Sequence, residues 1–127
     1  MTLSAEQLEQ VKGAEVITSD GHQVGVVEGI YLDETSREPE WALVNTPWVG
    51  KRDTFVPLRE ATFEDGTLSV PYGRDQLQRA PMIDPDGTLD DTEEAKLYSH
   101  YGIPHPKKAG LRNTRYYDLF PNRQLWR

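Results

Sequence analysis

The sequence predicts a mainly β fold: a small antiparallel β-barrel with a short N-terminal helix, one C-terminal helix and an extended basic, aromatic tail. Three observations carry this. Short runs rich in Val, Ile, Leu, Thr and aromatic residues recur between residues 15 and 72, separated by Gly, Pro and Asp, the spacing of strands and turns in barrels and sandwiches. Asp20-Gly21 and Asp65-Gly66 lie between such runs, and Asp-Gly supplies the positive φ angles of a tight hairpin. The longest run, QVGVVEGIYLD at residues 23–33, contains Gly25 and Gly29; glycine inside a strand marks a bulge or a bend at a barrel corner.

Taken in order, SAEQLEQV at residues 4–11 predicts a short helix with Ser4 as N-cap, Gln7 at capping-box spacing and Gly13 as terminator. A strand over residues 15–19 turns through Asp20-Gly21 into a second that starts near Gln23. In that second strand Val24, Val26, Ile30 and Leu32 are expected on one face and Val27 and Tyr31 on the other. Glu28 breaks the first face, so the strand is read as strongly coiled. DETSREPE, residues 33–40, is a turn in which Pro39 is barred from a central ladder position. WALVNT, residues 41–46, is apolar enough to be buried on both faces, and PWVGKRD, residues 47–53, is read as a loop with Gly50 at its tip.

TFVPL and ATFE follow as strands, and Asp65-Gly66 turns the chain into TLSVPY. GRDQLQRAP holds one or two helical turns before Pro81 stops them. After a loop at MIDPDG, a clearer helix spans residues 91–101. Asp90, three residues before Glu93, is its N-cap, and Leu97, Tyr98 and Tyr101 form its apolar face.

A chain of 127 residues, 36% hydrophobic and 28% charged, fits one domain that buries roughly two-thirds of its unfolded surface. No window approaches the ~18 unbroken apolar residues of a membrane span, and MTLSAEQLEQVKG lacks the basic start and apolar core of a secretory signal, so the expected location is the cytoplasm. The absence of cysteine excludes disulfides, thiolate metal sites and cysteine nucleophiles.

Charge divides the chain. Residues 1–106 hold 8 Lys/Arg against 20 Asp/Glu, net −12, whereas residues 107–127 hold 6 Lys/Arg against Asp118 alone, net +5. An acidic body repels phosphate backbones, so nucleic acid or an anionic membrane is a partner only if the tail acts by itself.

GAEVITSDGHQVGVVEGIYLDETSREPEWALV, then TFVPL, an acidic Asp-Gly hairpin, VPYGRDQLQRAP and DPDGTLDDTEEAKLYSHYGI together resemble the PRC-barrel family, especially its small bacterial stand-alone members. The similarity covers about residues 12–103. It rests on several spaced features: the Asp-Gly and Val-Gly pairs, the strand ending Tyr-Leu-Asp, the Val-Pro-Leu strand and the Ala-Pro after the last strand. The resemblance implies a small antiparallel barrel that binds protein, as in the cytoplasmic part of the photosynthetic reaction-centre H subunit and in a ribosome-maturation factor. It implies no catalytic set and no cofactor. The chain departs from the first in lacking a membrane helix and from the second in lacking an N-terminal partner domain. The expected organisation is a barrel domain with flanking helices over residues 1–102 and a tail over residues 103–127.

No enzyme signature emerges from the residues. A hydrolase needs a hydroxyl nucleophile beside a histidine base that a carboxylate orients. His22 falls in a hairpin turn, His100 at a helix end and His105 in a proline-rich linker, and all three are read as solvent-facing. Phosphate-loop motifs are absent; Gly21, Gly25 and Gly29 recur on a strand, without the strand-to-helix context such loops need. One calcium-loop register places Asp84, Asp86, Asp90 and Glu93 at ligand positions around Gly87, but Met82 occupies the first position and Pro85 separates the leading carboxylates. Turn formation and helix capping explain the same residues.

The interaction candidates are therefore in the tail. Tyr116, Tyr117, Phe120 and Trp126 are expected anchors, with Arg112, Arg115, Arg123 and Arg127 steering them. Trp48, beside Lys51 and Arg52, is a further candidate anchor, while Trp41 is assigned to the core. Burying four aromatic side chains is worth roughly 6–12 kcal/mol, whereas ordering the whole tail costs on the order of 20 kcal/mol. Either a few residues dock, or a helix over residues 111–120 forms before Pro121. The expected function is a non-enzymatic protein-binding or assembly module whose partner is another protein or further copies of itself. The alternatives are a tail-driven nucleic-acid or anionic-membrane binder and a metal- or small-ligand-binding module.

Overall fold

The computed structural model describes residues 5–33, 38–48, 51–83, 88–104 and 116–118. Among these, the helices are α1 Ala5–Val11, α2 Arg74–Gln78 and α3 Asp91–Tyr101. The strands are β1 Glu15–Ile17, β2 Gln23–Asp33, β3 Pro39–Trp48, β4 Lys51–Pro57, β5 Thr62–Glu64, β6 Thr67–Ser69, β7 Thr88–Leu89 and β8 Tyr116–Asp118. Ser4, the expected cap of α1, and Asp84 and Asp86 of the calcium-loop register lie outside the described residues.

The sheet runs β4-β3-β2-β1-β6-β5, with β8 added to β2 and β7 to β8. Its ladders are antiparallel except for β1 with β6, which run parallel. The path ends at β4 and β5, so among the described residues the barrel is open. Between those ends the chain turns sharply from buried Leu58 to buried Ala61, whose N–H donates to the Leu58 carbonyl at 3.1 Å.

β2 organises the molecule, and its coiling has an identifiable cause. The β1 register skips Val24, passing from Val16↔Gly25 to Ile17↔Gln23, and the β3 register skips Glu28, passing from Val27↔Val44 to Gly29↔Leu43. Each extra residue re-phases the strand. The expected grouping of Val24, Val26, Ile30 and Leu32 on one face is thereby corrected: Val26 is 39% exposed, while Val24, Val27, Ile30, Tyr31 and Leu32 are buried. Gly25 lets the first bulge lie against β3. A Cβ there would sit 2.0 Å from the Asn45 carbonyl oxygen, and φ is +154°.

β3 follows the burial expected of it, from Trp41 to Thr46, with Asn45 alone partly exposed. Pro39 is tolerated because it is the first residue of the strand. The loop expected over residues 47–53 is corrected at both ends: β3 continues to Trp48 and β4 begins at Lys51, with these two in register. The two Asp-Gly turns also differ from one another. Asp65 and Gly66 both have positive φ, 52° and 75°, the two-residue hairpin pattern. At the first turn only Gly21 is positive, at 84°, and its N–H closes on the Thr18 carbonyl at 3.0 Å, a three-residue loop in which glycine takes the bulge position.

α3 is specified at both ends. Asp90 Oδ1 accepts from the Glu93 N–H at 2.8 Å, and Glu93 Oε1 accepts from the Asp90 N–H at 3.0 Å, a reciprocal capping box. Gly102, at φ 69°, ends the helix as Ile103 N–H reaches Tyr98 O and Gly102 N–H reaches Ser99 O, a Schellman arrangement with Ile103 packed on the core. Leu97, Tyr98 and Tyr101 are buried, as the helical spacing predicts. Tyr98 packs on Trp41 with ring centroids 5.0 Å apart, and the Tyr101 hydroxyl donates to the Phe55 carbonyl at 2.7 Å. That bond caps the outer edge of β4, which pairs with β3 on its other side.

Candidate functional site

Two places bring polar or pairing groups together. The first is the β1–β2 turn, where Thr18, Asp20 and His22 converge. The Thr18 hydroxyl donates to Asp20 Oδ1, which also accepts from the Arg74 N–H at 3.3 Å and lies 3.4 Å from His22 Nδ1. These contacts, the Thr18 hydroxyl foremost, hold the Asp20 carboxyl down at about 2. A hydroxyl, a histidine and a carboxylate suggest a nucleophile triad, but the connections run differently. The hydroxyl proton is directed at the carboxylate instead of the imidazole, Thr18 is 4% exposed, and its oxygen accepts the His22 N–H at 3.0 Å. This cluster ties the hairpin turn to the start of α2.

His100 is likewise not solvent-facing as expected. It is half-buried, and its Nε2 donates to the Gln76 carbonyl at 2.6 Å, joining α3 to α2. His22 is 53% exposed, and His105 lies outside the described residues. Asp90 and Glu93, two of the calcium-loop carboxylates, are engaged in the capping box, and no cluster of three His, Cys, Asp or Glu able to hold a metal occurs among the described residues.

The second place is the far end of β2. There β8 pairs antiparallel in the register Tyr31↔Asp118, Leu32↔Tyr117 and Asp33↔Tyr116, and β7 pairs with its other edge through Thr88↔Tyr117 and Leu89↔Tyr116. Tyr31 pairs with Trp41 on one side and Asp118 on the other, while Val26 pairs with Asn45 and Glu15. β1 and β8 therefore use the same edge of β2 in succession, β1 before the second bulge and β8 after it. Buried Leu32 and Leu89 stand on the two strands that flank β8.

Of the expected tail anchors, Tyr116 and Tyr117 are in β8, and Trp48 ends β3. Arg112, Arg115, Phe120, Arg123, Trp126 and Arg127 lie outside the described residues. A helix over residues 111–120 is excluded where the chain is described, because Tyr116–Asp118 is extended and paired on both edges. Backbone edges of β2 and β7 receive these three residues. The sequence signal was weak: two adjacent tyrosines have β preference, but nothing local says which edge they meet.

A long strand with glycine-flagged bulges, an Asp-Gly hairpin and the parallel β1–β6 pair lie in the stretch that the PRC-barrel domain model matches, residues 5–77. The chain belongs to the PRC-barrel family. The match takes in α1, β1–β6 and nearly all of α2. α3, β7 and β8 follow it, so in this PRC-barrel protein the strand pair at the far end of β2 lies beyond the family span. No curated protein matches the chain. No helix among the described residues is long and apolar enough to cross a membrane.

Proposed function

We propose that this PRC-barrel protein is a non-enzymatic assembly module in which the barrel is the scaffold and the C-terminal segment is the docking element. One observation carries the reading: an extended segment from outside the family span already adds as a strand to the barrel's β2 edge. Strand addition is a general mode of peptide recognition, in which main-chain hydrogen bonds supply affinity and flanking side chains supply specificity. PRC-barrel domains generally act as protein-interaction modules, which agrees with this use of the edge. The tail's net +5 against the body's −12 favours its return to an acidic face, its own or a neighbour's.

The test is affinity capture with the full-length chain, at about 0.15 M salt. Wild type is compared with Phe120→Ala/Trp126→Ala and with Arg112, Arg115, Arg123 and Arg127 all changed to serine. The aromatic pair is expected to lose the captured protein, and the arginine variant to bind more slowly. Equal capture by all three would show that the tail is not the docking element.

A further inference from the structure

We propose that the edge of β2 at residues 31–33 is an exchangeable strand acceptor, and that two copies of the chain associate by trading β8, each seating the other's Tyr116–Asp118 between its own β2 and β7. This rests on the assembly reading above and names its partner, a second copy.

The seat itself shows no preference for its own chain. β8 is held by backbone ladders on both edges, three register pairs with β2 and two with β7, and a neighbouring copy offers the same hydrogen bonds. Exchange of an identical element is a low-cost route to a dimer because no new surface has to be created. The connection from Pro104 to Tyr116 is the eleven residues 105–115, with Pro106 and Gly110 in it, and it is the only covalent tie between β8 and the barrel. The charge contact at the seat is the same in the exchanged pair as in the closed monomer. Each copy carries a −12 body and a +5 C-terminal segment, so a two-fold pair sets each positive segment against the other's negative body in two equivalent contacts.

The two strands that end the sheet path are less open. The outer edge of β4 gives its Phe55 carbonyl to Tyr101. β5 is three residues long, with exposed Glu64, and short charged edges resist pairing. The tie between β8 and its barrel gives an effective concentration of about 1 mM for a short link, so the closed monomer dominates in dilute solution and the exchanged pair grows where copies are concentrated.

The chain has no cysteine, so introduced thiols report alone. Asp33 and Tyr116 are opposite in register, with Cβ atoms of such pairs about 5 Å apart. Full-length Asp33→Cys and Tyr116→Cys chains are mixed from ~10 µM to ~1 mM, reaching that effective concentration, and treated with a short bis-maleimide. A cross-linked dimer of one chain of each kind is expected, rising with concentration and lost when Tyr117→Pro is added to the Tyr116→Cys chain. Proline in a strand paired on both edges removes a ladder bond. Sedimentation of the wild-type chain over the same range should show a matching dimer fraction, without any substitution. The Asp33→Cys/Tyr116→Cys double variant separates the failures. If it cross-links internally while the mixed single variants give no more dimer than the proline control, the strand serves its own barrel only and exchange is overturned. If neither links, the seat itself does not form, and the assembly reading built on it falls too.

Discussion

Two glycines of β2 and its hairpin separate the two reasons a position demands glycine. At Gly21, φ is +84° and the space around a Cβ is open, whereas at Gly25 the space is closed by the Asn45 carbonyl. Gly21→Ala should therefore cost only the left-handed backbone penalty, about 1–2 kcal/mol. Gly25→Ala forces β2 and β3 apart and should cost about 2–5 kcal/mol, measured as a shift of the urea midpoint. Asp20 offers a pH-dependent counterpart. Its carboxyl is held at about 2 by the Thr18 hydroxyl and neighbouring donors. A depressed folded-state pKa contributes stability that is complete above the unfolded value near 4 and is lost as pH falls through about 2. The stability difference between wild type and Asp20→Asn should accordingly be constant at neutral pH and shrink between about pH 4 and 2, followed by thermal unfolding at a series of pH values.

Among the elements, α3 has ends written in the sequence and a position that is not. Asp90→Ala removes the acceptor of the Glu93 N–H and should lower stability by about 1 kcal/mol, the usual worth of an N-cap. Tyr101→Phe keeps the ring against Tyr72, 4.9 Å away, but takes the donor from the Phe55 carbonyl. Burial holds the Tyr101 phenol well above the usual tyrosine range, so this donor persists at every ordinary pH. Its loss leaves an edge carbonyl of β4 without its partner and should cost about 1–3 kcal/mol, with faster amide exchange along β4 than in the Asp90→Ala chain. The Asp90–Glu93 spacing was legible because an N-cap is local. The attachment of Tyr101 to β4 was not, because it joins positions 46 residues apart.

For the molecule as a whole, a full-length Tyr117→Pro chain should lose hydrogen-exchange protection at residues 31–33, 88–89 and 116–118 together, while β3, β4 and the capping box of α3 stay protected. Separate loss at only one of these segments would show that β2, β8 and β7 do not act as a unit. The sequence by itself determined the mainly β class, the two glycine turns, the buried run from Trp41, the bounds of α3, the family and the opposite charges of body and tail. Apart from the family, which rests on motifs spaced along the chain, these depend on residues within a few positions of one another or on composition. Only the tertiary structure decided the phase of β2 after its two bulges, the parallel pairing of β1 with β6, the contact of His100 with Gln76 and the seat of β8. The first turns on where an extra residue is absorbed, which alternation alone leaves ambiguous by one position, and a one-residue slip reverses every side chain. The others join segments distant in the chain, and which backbone edge remains open for Tyr116–Asp118 is settled only after β1 has taken the first part of β2 and left the rest.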